Sequence, residues 1–233
     1  MNLPRHPDRA AWPQPSLMGS LTPSDRVALL ACGTRVQFGD DDILVMQGDI
    51  GDVLYVLTGG MVKITVSAET GVETMLAVRS RGDLIGEFGV LDGLPRAATV
   101  RAVGTVGALR ITGPRFAVFT EAHPAALPAV TRSVLAKMRS ETERHAAERN
   151  WGARERLAQV IFDLATGYGE KADDGGIVIP LPLTQMELGE LAGVAVSTTE
   201  RVLAEFRREG LIQTGYREIE VRDMACLGDT RFA

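Results

Sequence analysis

One short stretch of the chain combines residue types that could together hold a cyclic sugar phosphate. In residues 82–100, GDLIGEFGVLDGLPRAATV, Gly86 and Gly89 lack side chains that would keep an anion away from the backbone amides. A short helix beginning near Glu87 would direct further amides at that anion. The Arg96 guanidinium can donate two parallel hydrogen bonds to phosphate oxygens, and the Glu87 carboxylate can accept one from a ribose hydroxyl.

A second stretch has the local chemistry of two helices joined by a tight turn. Thr184 and Glu187 are spaced as a capping box, in which each side chain bonds the other residue's backbone amide. Gly193 stands where a tight turn needs a positive φ angle. Apolar residues at helical spacing predict the inward faces: Leu188, Leu191, Ala192, Val202, Leu203 and Phe206. This pattern indicates a helix-turn-helix, whose second helix enters the DNA major groove by its N-terminal end.

Short strands are predicted to position the first of these sites. Residues 35–112 contain runs rich in β-branched and aromatic residues, separated by glycine and aspartate. The runs are VQF, ILVM, DVLYVL, MVKITV, TMLAV and AATVRAV. Many short strands at regular spacing are typical of a β barrel or jelly roll.

One long helix is predicted over roughly residues 126–150. Its apolar residues form a narrow stripe and recur at spacings of three and four: Leu127, Val130, Val134 and Met138. A narrow stripe resembles a coiled-coil seam, which favours a helix that pairs with a second copy of the chain. The alternative is a helix packed on its own barrel.

The pattern divides the chain into four parts. Residues 1–20 contain several prolines and predict a flexible arm, and residues 21–125 form a sensor domain. Residues 126–151 form the long helix and a hinge at Gly152, and residues 152–233 form the domain with the helix-turn-helix. In that last domain IVIPLPL is predicted as a short strand and TGYREIEVRD as a closing hairpin.

Composition limits the classes of protein that the chain can belong to. Two cysteines in 233 residues are too few for a disulfide framework or a four-cysteine iron–sulfur cluster, and they suit a reducing compartment. No apolar run approaches the roughly 20 residues of a membrane helix, and the N-terminus lacks the apolar core of a secretory signal. The net charge of −5 allows specific DNA binding only through a local basic face. We expect a cytoplasmic protein without a membrane partner.

The two motifs together resemble the cyclic-AMP receptor protein/fumarate-nitrate regulator (CRP/FNR) superfamily of bacterial transcription regulators. LTQMELGELAGVAVSTTERVLAEFRREGLI is similar to the superfamily's helix-turn-helix, and GEFGVLDGLPRAA to its phosphate-binding cassette, G-E-[LF]-[AGS]…R-[STA]-A. The resemblance covers roughly residues 25–222. It implies an α+β fold, with an N-terminal β jelly-roll cyclic-nucleotide-binding domain, a long dimerisation helix and a C-terminal winged helix-turn-helix.

The resemblance also implies roles for the cassette residues. Glu87 would bind the ribose 2′-hydroxyl and Arg96 the cyclic phosphate, assisted by the amides of Phe88, Gly89 and Ala97, with Gly86 at the turn. Alanine after the arginine is associated with cyclic AMP rather than cyclic GMP. On the long helix, Thr142 would contact the base, while Glu141 beside it could accept from an adenine amino group or repel an anionic ligand.

For DNA, the resemblance implies contacts from both helices of the motif. The positions concerned are Thr184, Gln185, Val196, Ser197, Thr198 and Arg201. Val196 and Ser197 replace an Arg-Glu pair that reads bases in the catabolite activator, and Gln185 replaces an arginine that touches phosphate. Thr199 falls at a buried position. Arg217, in the closing hairpin, is a further candidate for phosphate contact.

These observations predict a regulator whose operator binding is controlled by a small effector, cyclic AMP before cyclic GMP, with no required cofactor or metal. Its expected partners are double-stranded DNA and a second copy of the chain, with RNA polymerase as a further partner to be tested. No catalytic motif such as G-x-S-x-G or H-E-x-x-H occurs, so we do not expect an enzyme. Two alternatives remain: a ligand-independent DNA-binding dimer, and a nucleotide-binding interaction module that does not bind DNA, which the acidic C-terminal part favours.

Overall fold

A computed structural model gives the fold of the chain. It describes residues 12–13, 16–68, 71–172, 175–215 and 218–230. The chain forms two compact units. The first comprises the chain up to Ser67 together with Val78–Lys137, and the second comprises Ala68–Ala77 together with Met138 onward.

A six-stranded sheet forms the body of the first unit. Its strands are β1 (Thr34–Phe38), β2 (Ile43–Val45), β3 (Val53–Ser67), β4 (Glu73–Ser80), β5 (Leu84–Ile85) and β6 (Thr99–Thr112). Of β4, only residues 78–80 belong to the first unit. The order is β1-β6-β3-β4, with β2 also paired to β6 and β5 to β3. The runs DVLYVL and MVKITV, predicted as two strands, form the single strand β3, whose register against β6 shifts between Leu57 and Met61. The sheet domain predicted from the sequence is thereby confirmed.

Helices pack on this sheet and contribute to its core. They are α1 (Leu17–Ser20), α2 (Pro23–Ala31), α3 (Glu87–Asp92) and α4 (Gly113–Ala122). Leu17 and Met18 are fully buried in the same apolar cluster as Leu54 and Phe119. The prediction of a flexible arm over residues 1–20 is therefore wrong for residues 16–20, because burial of Leu17 and Met18 removes their apolar surface from water. Residues 1–11 and 14–15 of that prediction lie outside the described residues.

The predicted long helix is α5 (Leu127–Asn150). One member of its predicted stripe, Val130, is buried in the core of the first unit, so the beginning of the helix packs on its own sheet domain. Leu127, Leu135 and Met138 are instead 50%, 52% and 57% exposed. The helix thus buries Ala129 and Val130 near its start and leaves an apolar stripe exposed on another side.

The second unit is built from helices and a small antiparallel sheet. Its helices after α5 are α6 (Ala153–Tyr168), α7 (Gln185–Ala192), α8 (Val196–Arg208) and α9 (Met224–Thr230). Its strands are β7 (Glu170–Lys171), β8 (Ile177–Ile179), β9 (Ile212–Gly215) and β10 (Glu218–Val221), in the order β7-β8-β10-β9. The predicted break at Gly152 and the pairing of the closing hairpin are present. The strand predicted over IVIPLPL is limited to Ile177–Ile179, and α9 was not predicted.

No helix in the described part of the chain combines the length and the apolar character that a membrane crossing requires.

Phe119 and Val118 are neighbours in α4 with opposite environments, and they provide a test of the first unit's core. Phe119 is buried against Phe116 and His123, whereas Val118 is exposed. We expect Phe119→Ala to lower the free energy of unfolding by about 3–5 kcal/mol, because the lost side chain leaves a cavity. The control, Val118→Ala, should change it by less than about 0.5 kcal/mol. Urea denaturation measures both, and equal effects would contradict the placement of α4.

Candidate functional site

A tight turn joins β5 to α3 and opens the predicted phosphate-binding cassette. Gly86 occupies this turn with φ 78°, in the left-handed region that favours glycine, and α3 begins at the next residue, Glu87. The short helix predicted near Glu87 is thereby confirmed. Phe88 and Gly89 follow in its first turn, so their backbone amides lie at the N-terminal end of α3.

Arg96 lies buried within the cassette. Its guanidinium donates hydrogen bonds to the backbone carbonyls of Gly86 and of Val53, the latter at 2.5 Å. Three glycines leave the space that it fills. A Cβ atom added to Gly86, Gly89 or Gly51 would lie 3.2–3.3 Å from a guanidinium nitrogen. The structure therefore places Arg96 at the predicted turn, where its fork is hydrogen-bonded to the backbone.

The backbone on either side of Arg96 is also held in place. The Arg96 amide donates to the Asp49 carbonyl at 2.9 Å, and the Gly48 amide donates to the Arg96 carbonyl at 2.9 Å. Ala97, the next residue, is exposed. The loop that precedes β3 thus fixes the segment that carries Arg96, so that arginine and the glycine turn face each other.

Glu87 forms a buried ion pair with a residue that the sequence reading missed. Its Oε1 lies 2.6 Å from Nζ of Lys137 on α5, and the two side chains are 5% and 15% exposed. Lys137 also donates to the Leu84 carbonyl at 2.5 Å. A signal for this position existed: Lys137 follows Val130 by seven residues and Val134 by three, so it lies on the inward stripe of the helix.

Burial affects the ionisation of the groups around this pair. Burial lowers the pKa of Lys137, and the negative charge of Glu87 opposes that effect. Burial also raises the pKa of Asp83, whose carboxylate accepts a hydrogen bond from the Ser80 amide at 2.9 Å. Lys137 of α5 therefore meets the cassette at Glu87, the residue next to the turn that binds Arg96.

Thr142, predicted to contact the base, lies on the part of α5 that belongs to the second unit. Its side chain is exposed, and its hydroxyl donates to the Met138 carbonyl at 3.0 Å within the helix. The adjacent Glu141 pairs with Arg144 at 3.0 Å. The base contact of Thr142 stays a prediction.

The helix-turn-helix has the local geometry that the sequence predicts. The Thr184 hydroxyl accepts from the Glu187 amide at 3.2 Å, and the Glu187 carboxylate accepts from the Thr184 amide at 2.8 Å, which confirms the capping box. Gly193 ends α7 with φ 61°, the left-handed conformation expected of the turn. Thr184 and Gln185 are exposed at the start of α7.

The helix α8 separates a buried face from an exposed one. The buried face consists of Thr199, Val202, Leu203 and Phe206, each at most 1% exposed. The hydroxyl of Thr199 donates to the Ala195 carbonyl at 3.2 Å, which confirms Thr199 as a core residue. The exposed positions in the N-terminal half are Val196, Ser197, Glu200 and Arg201, and Thr198 is half-buried. Of the four residues of α8 that are predicted to contact DNA, all except Thr198 are therefore exposed to solvent.

Arg201 of α8 and Arg154 of α6 both form ion pairs with Glu205 of α8. Arg201 donates to the Glu205 carboxylate at 2.7 Å. Glu205 also lies 3.5 Å from Arg154, whose guanidinium bonds Glu209 at 2.5 Å and stacks 4.8 Å above the Phe206 ring. Arg201 is thus held along the helix by a partner that a phosphate or a guanine would have to replace.

The hairpin after α8 carries side-chain hydrogen bonds to its neighbours. Arg207 donates to the Thr214 hydroxyl at 3.0 Å, and Arg222 donates to Gln213 at 2.7 Å. Arg217, the candidate for phosphate contact in this hairpin, lies outside the described residues.

Comparisons with known proteins match both parts of the chain. Residues 35–123 match the family model of the cyclic nucleotide-binding domain, and residues 155–230 match the Crp-like helix-turn-helix domain. The chain is 26% identical over 202 residues to a CRP-like cAMP-activated global transcriptional regulator of Mycobacterium tuberculosis, covering 86% of this chain and 89% of that protein. It is 29% identical over 227 residues to the cyclic AMP receptor protein of Thermus thermophilus, covering 93% and 96%.

A solved structure supports the same fold. The global regulator CLP of Xanthomonas campestris, described as c-di-GMP responsive, superposes with a TM-score of 0.74 at 18% identity, over 87% of this chain and 100% of that one. At this identity the likeness concerns the fold alone. The two family models and the relatives show that the chain belongs to the CRP/FNR superfamily, with an effector-binding domain and a helix-turn-helix DNA-binding domain.

The buried pair of Glu87 and Lys137 can be tested by comparing single and double substitutions. Lys137→Met leaves the Glu87 carboxylate buried without its cation, which should lower the free energy of unfolding by about 3–5 kcal/mol. The double variant Glu87→Met/Lys137→Met removes both charges and should be more stable than Lys137→Met alone, since no unpaired charge remains. Urea denaturation measures the cycle. Strictly additive effects would show that the two side chains do not interact.

Proposed function

We propose that this chain is a dimeric DNA-binding transcription regulator whose operator binding is controlled by cyclic AMP bound at the cassette. The observation that carries the proposal is the placement of Arg96 among three glycines at the start of α3, beside the pair of Glu87 and Lys137. Arginine and the amides of a helix start are suited to a phosphate, and a carboxylate is suited to a ribose hydroxyl.

Cyclic AMP is favoured by two observations. Two relatives that align with most of the chain are named for cyclic AMP, and alanine at position 97 accords with that nucleotide by resemblance. The structural neighbour described as c-di-GMP responsive makes the larger cyclic dinucleotide the competitor to test. Both ligands carry phosphate, so Arg96 serves either; the space and the hydroxyl acceptors distinguish them.

The pair of Glu87 and Lys137 provides a route from the ligand to the long helix. A ribose hydroxyl that bonds Glu87 competes with Lys137 for the same carboxylate, while a phosphate attracts the Lys137 ammonium. Either event changes how α5 is held against the cassette. A ligand shifts a conformational equilibrium only through different affinities for its states, and this carboxylate is one contact at which the affinities differ.

The exposed apolar stripe of α5 supports dimer formation. Leu127, Leu135 and Met138 lie on this helix with at least half of each side chain in water, and a second copy of the helix would cover them. Two paired copies would present two α8 helices to DNA half-sites about one helical turn, or roughly 34 Å, apart.

A calorimetric titration tests the effector. We expect saturable binding of cyclic AMP, and at least about tenfold weaker binding of cyclic GMP and cyclic di-GMP. Arg96→Lys keeps a positive charge and a donor but loses the guanidinium fork, so cyclic AMP affinity should fall by about tenfold or more. The control is Arg101→Lys, an arginine that lies 3.7 Å from Asp41. Binding of none of the three nucleotides would contradict the proposal.

A second candidate function, ligand-independent DNA binding, is favoured by one observation. Arg96 and Glu87 both have partners within the protein, two carbonyls and Lys137, so the cassette is stable as a piece of scaffold. In that case operator binding would be the same with and without cyclic AMP, and Arg96→Lys would not alter it.

The DNA-binding role of α8 can be tested with two arginines of the same helix. Arg201→Ala should weaken binding to the protein's operator by about 1–3 kcal/mol more than binding to unrelated DNA, since a base contact is lost. Arg208→Ala, near the C-terminal end of α8, should weaken both alike or not at all. Fluorescence anisotropy on operator and scrambled duplexes measures the ratio. If neither duplex binds in a salt-dependent way, the chain is an interaction module without DNA binding.

A further inference from the structure

Glu200 is an acidic residue on the face of α8 that the proposed function turns towards DNA. It is exposed, four residues after Val196 and directly before Arg201. Its carboxylate has no hydrogen bond or ion pair within the described part of the chain, and the adjacent Arg201 pairs with Glu205. Glu200 is not among the contact residues predicted from the sequence.

A free carboxylate at this place is unfavourable for DNA binding in general. The phosphates of the duplex are negatively charged, so an unpaired carboxylate near them lowers affinity for every sequence alike. The cost is recovered only where the DNA offers a hydrogen-bond donor. In the major groove the donors are the amino groups of cytosine and adenine, and a glutamate accepts from cytosine N4. Guanine and thymine present oxygen acceptors there, which repel a carboxylate.

We propose that Glu200 is a specificity residue that selects a cytosine in each DNA half-site. This inference rests on the proposed function, since it requires α8 to lie in the major groove. It assigns Glu200 the discrimination of one base pair, separate from the contact of Arg201. The carboxylate accepts from the cytosine amino group and disfavours half-sites in which guanine or thymine takes that place on the contacted strand.

Val196 lies on the same face of α8 as Glu200 and is a second candidate for base contact. It is 42% exposed and uncharged, and residues four apart on a helix lie about 5–6 Å apart on one face. That distance spans one to two base steps of about 3.4 Å. An apolar side chain in the major groove contacts the thymine methyl group. The selected cytosine should therefore have a thymine within two base pairs of it.

The test is selection of bound duplexes from a randomised library, using the full chain with and without cyclic AMP. We expect the enriched half-site to contain one position restricted to cytosine. Glu200→Ala should relax that position and leave the others unchanged. Glu200→Gln should move its preference towards adenine, since glutamine pairs with the N6 and N7 atoms of adenine. Exchange of the cytosine should weaken the wild-type protein by about 5- to 150-fold and Glu200→Ala by less than about threefold.

A matched control separates base reading from the effect of charge. Asp229→Asn removes one negative charge from α9, which packs against α6 in the same unit, and should leave the enriched half-site unchanged. Identical half-sites for the wild type and Glu200→Ala would overturn the assignment of Glu200 while leaving DNA binding intact. A wild-type protein that enriches no sequence under either condition would overturn the proposed function, and this assignment with it.

Discussion

The buried ion pair between Glu87 and Lys137 is the constraint on which the sensor unit depends. An isolated carboxylate or ammonium would be costly at this depth, and each is tolerated because the other lies within 2.6 Å. The pair joins the turn after β5 to the long helix, two parts of the chain that are 50 residues apart. If the proposed ligand binds Glu87, it competes with Lys137 for this carboxylate, and its binding would then affect the position of the helix.

Arg96 is a second buried charge that is stabilised by partners within the protein. Its guanidinium is buried because two carbonyls accept from it and three glycines leave room for it. The site therefore needs no ligand to hold its shape, and a phosphate would replace hydrogen bonds rather than create them from nothing. The net gain on binding is then smaller than the number of phosphate contacts suggests.

The features that could be predicted from the sequence are local. The capping box of Thr184 and Glu187, the turn at Gly193 and the burial of Thr199 each follow from spacing over a few residues. The spacing along α5 gives Lys137 an inward position, but it does not give the partner, since Lys137 meets Glu87 only when α5 packs on the sheet. The burial of Leu17 and Met18 was not predicted either, because a short apolar segment among prolines gives no periodic signal.

The division of α8 into two faces has a consequence for how such regulators diverge. One face is buried and maintains the fold, and the other is exposed to solvent. The buried face consists of Thr199, Val202, Leu203 and Phe206, and the exposed face includes Val196, Ser197, Glu200 and Arg201. Exposed positions tolerate exchange at little cost in stability. Duplicated copies of this gene could therefore acquire new target promoters by a few substitutions on one helix, while the same sensor continues to control them.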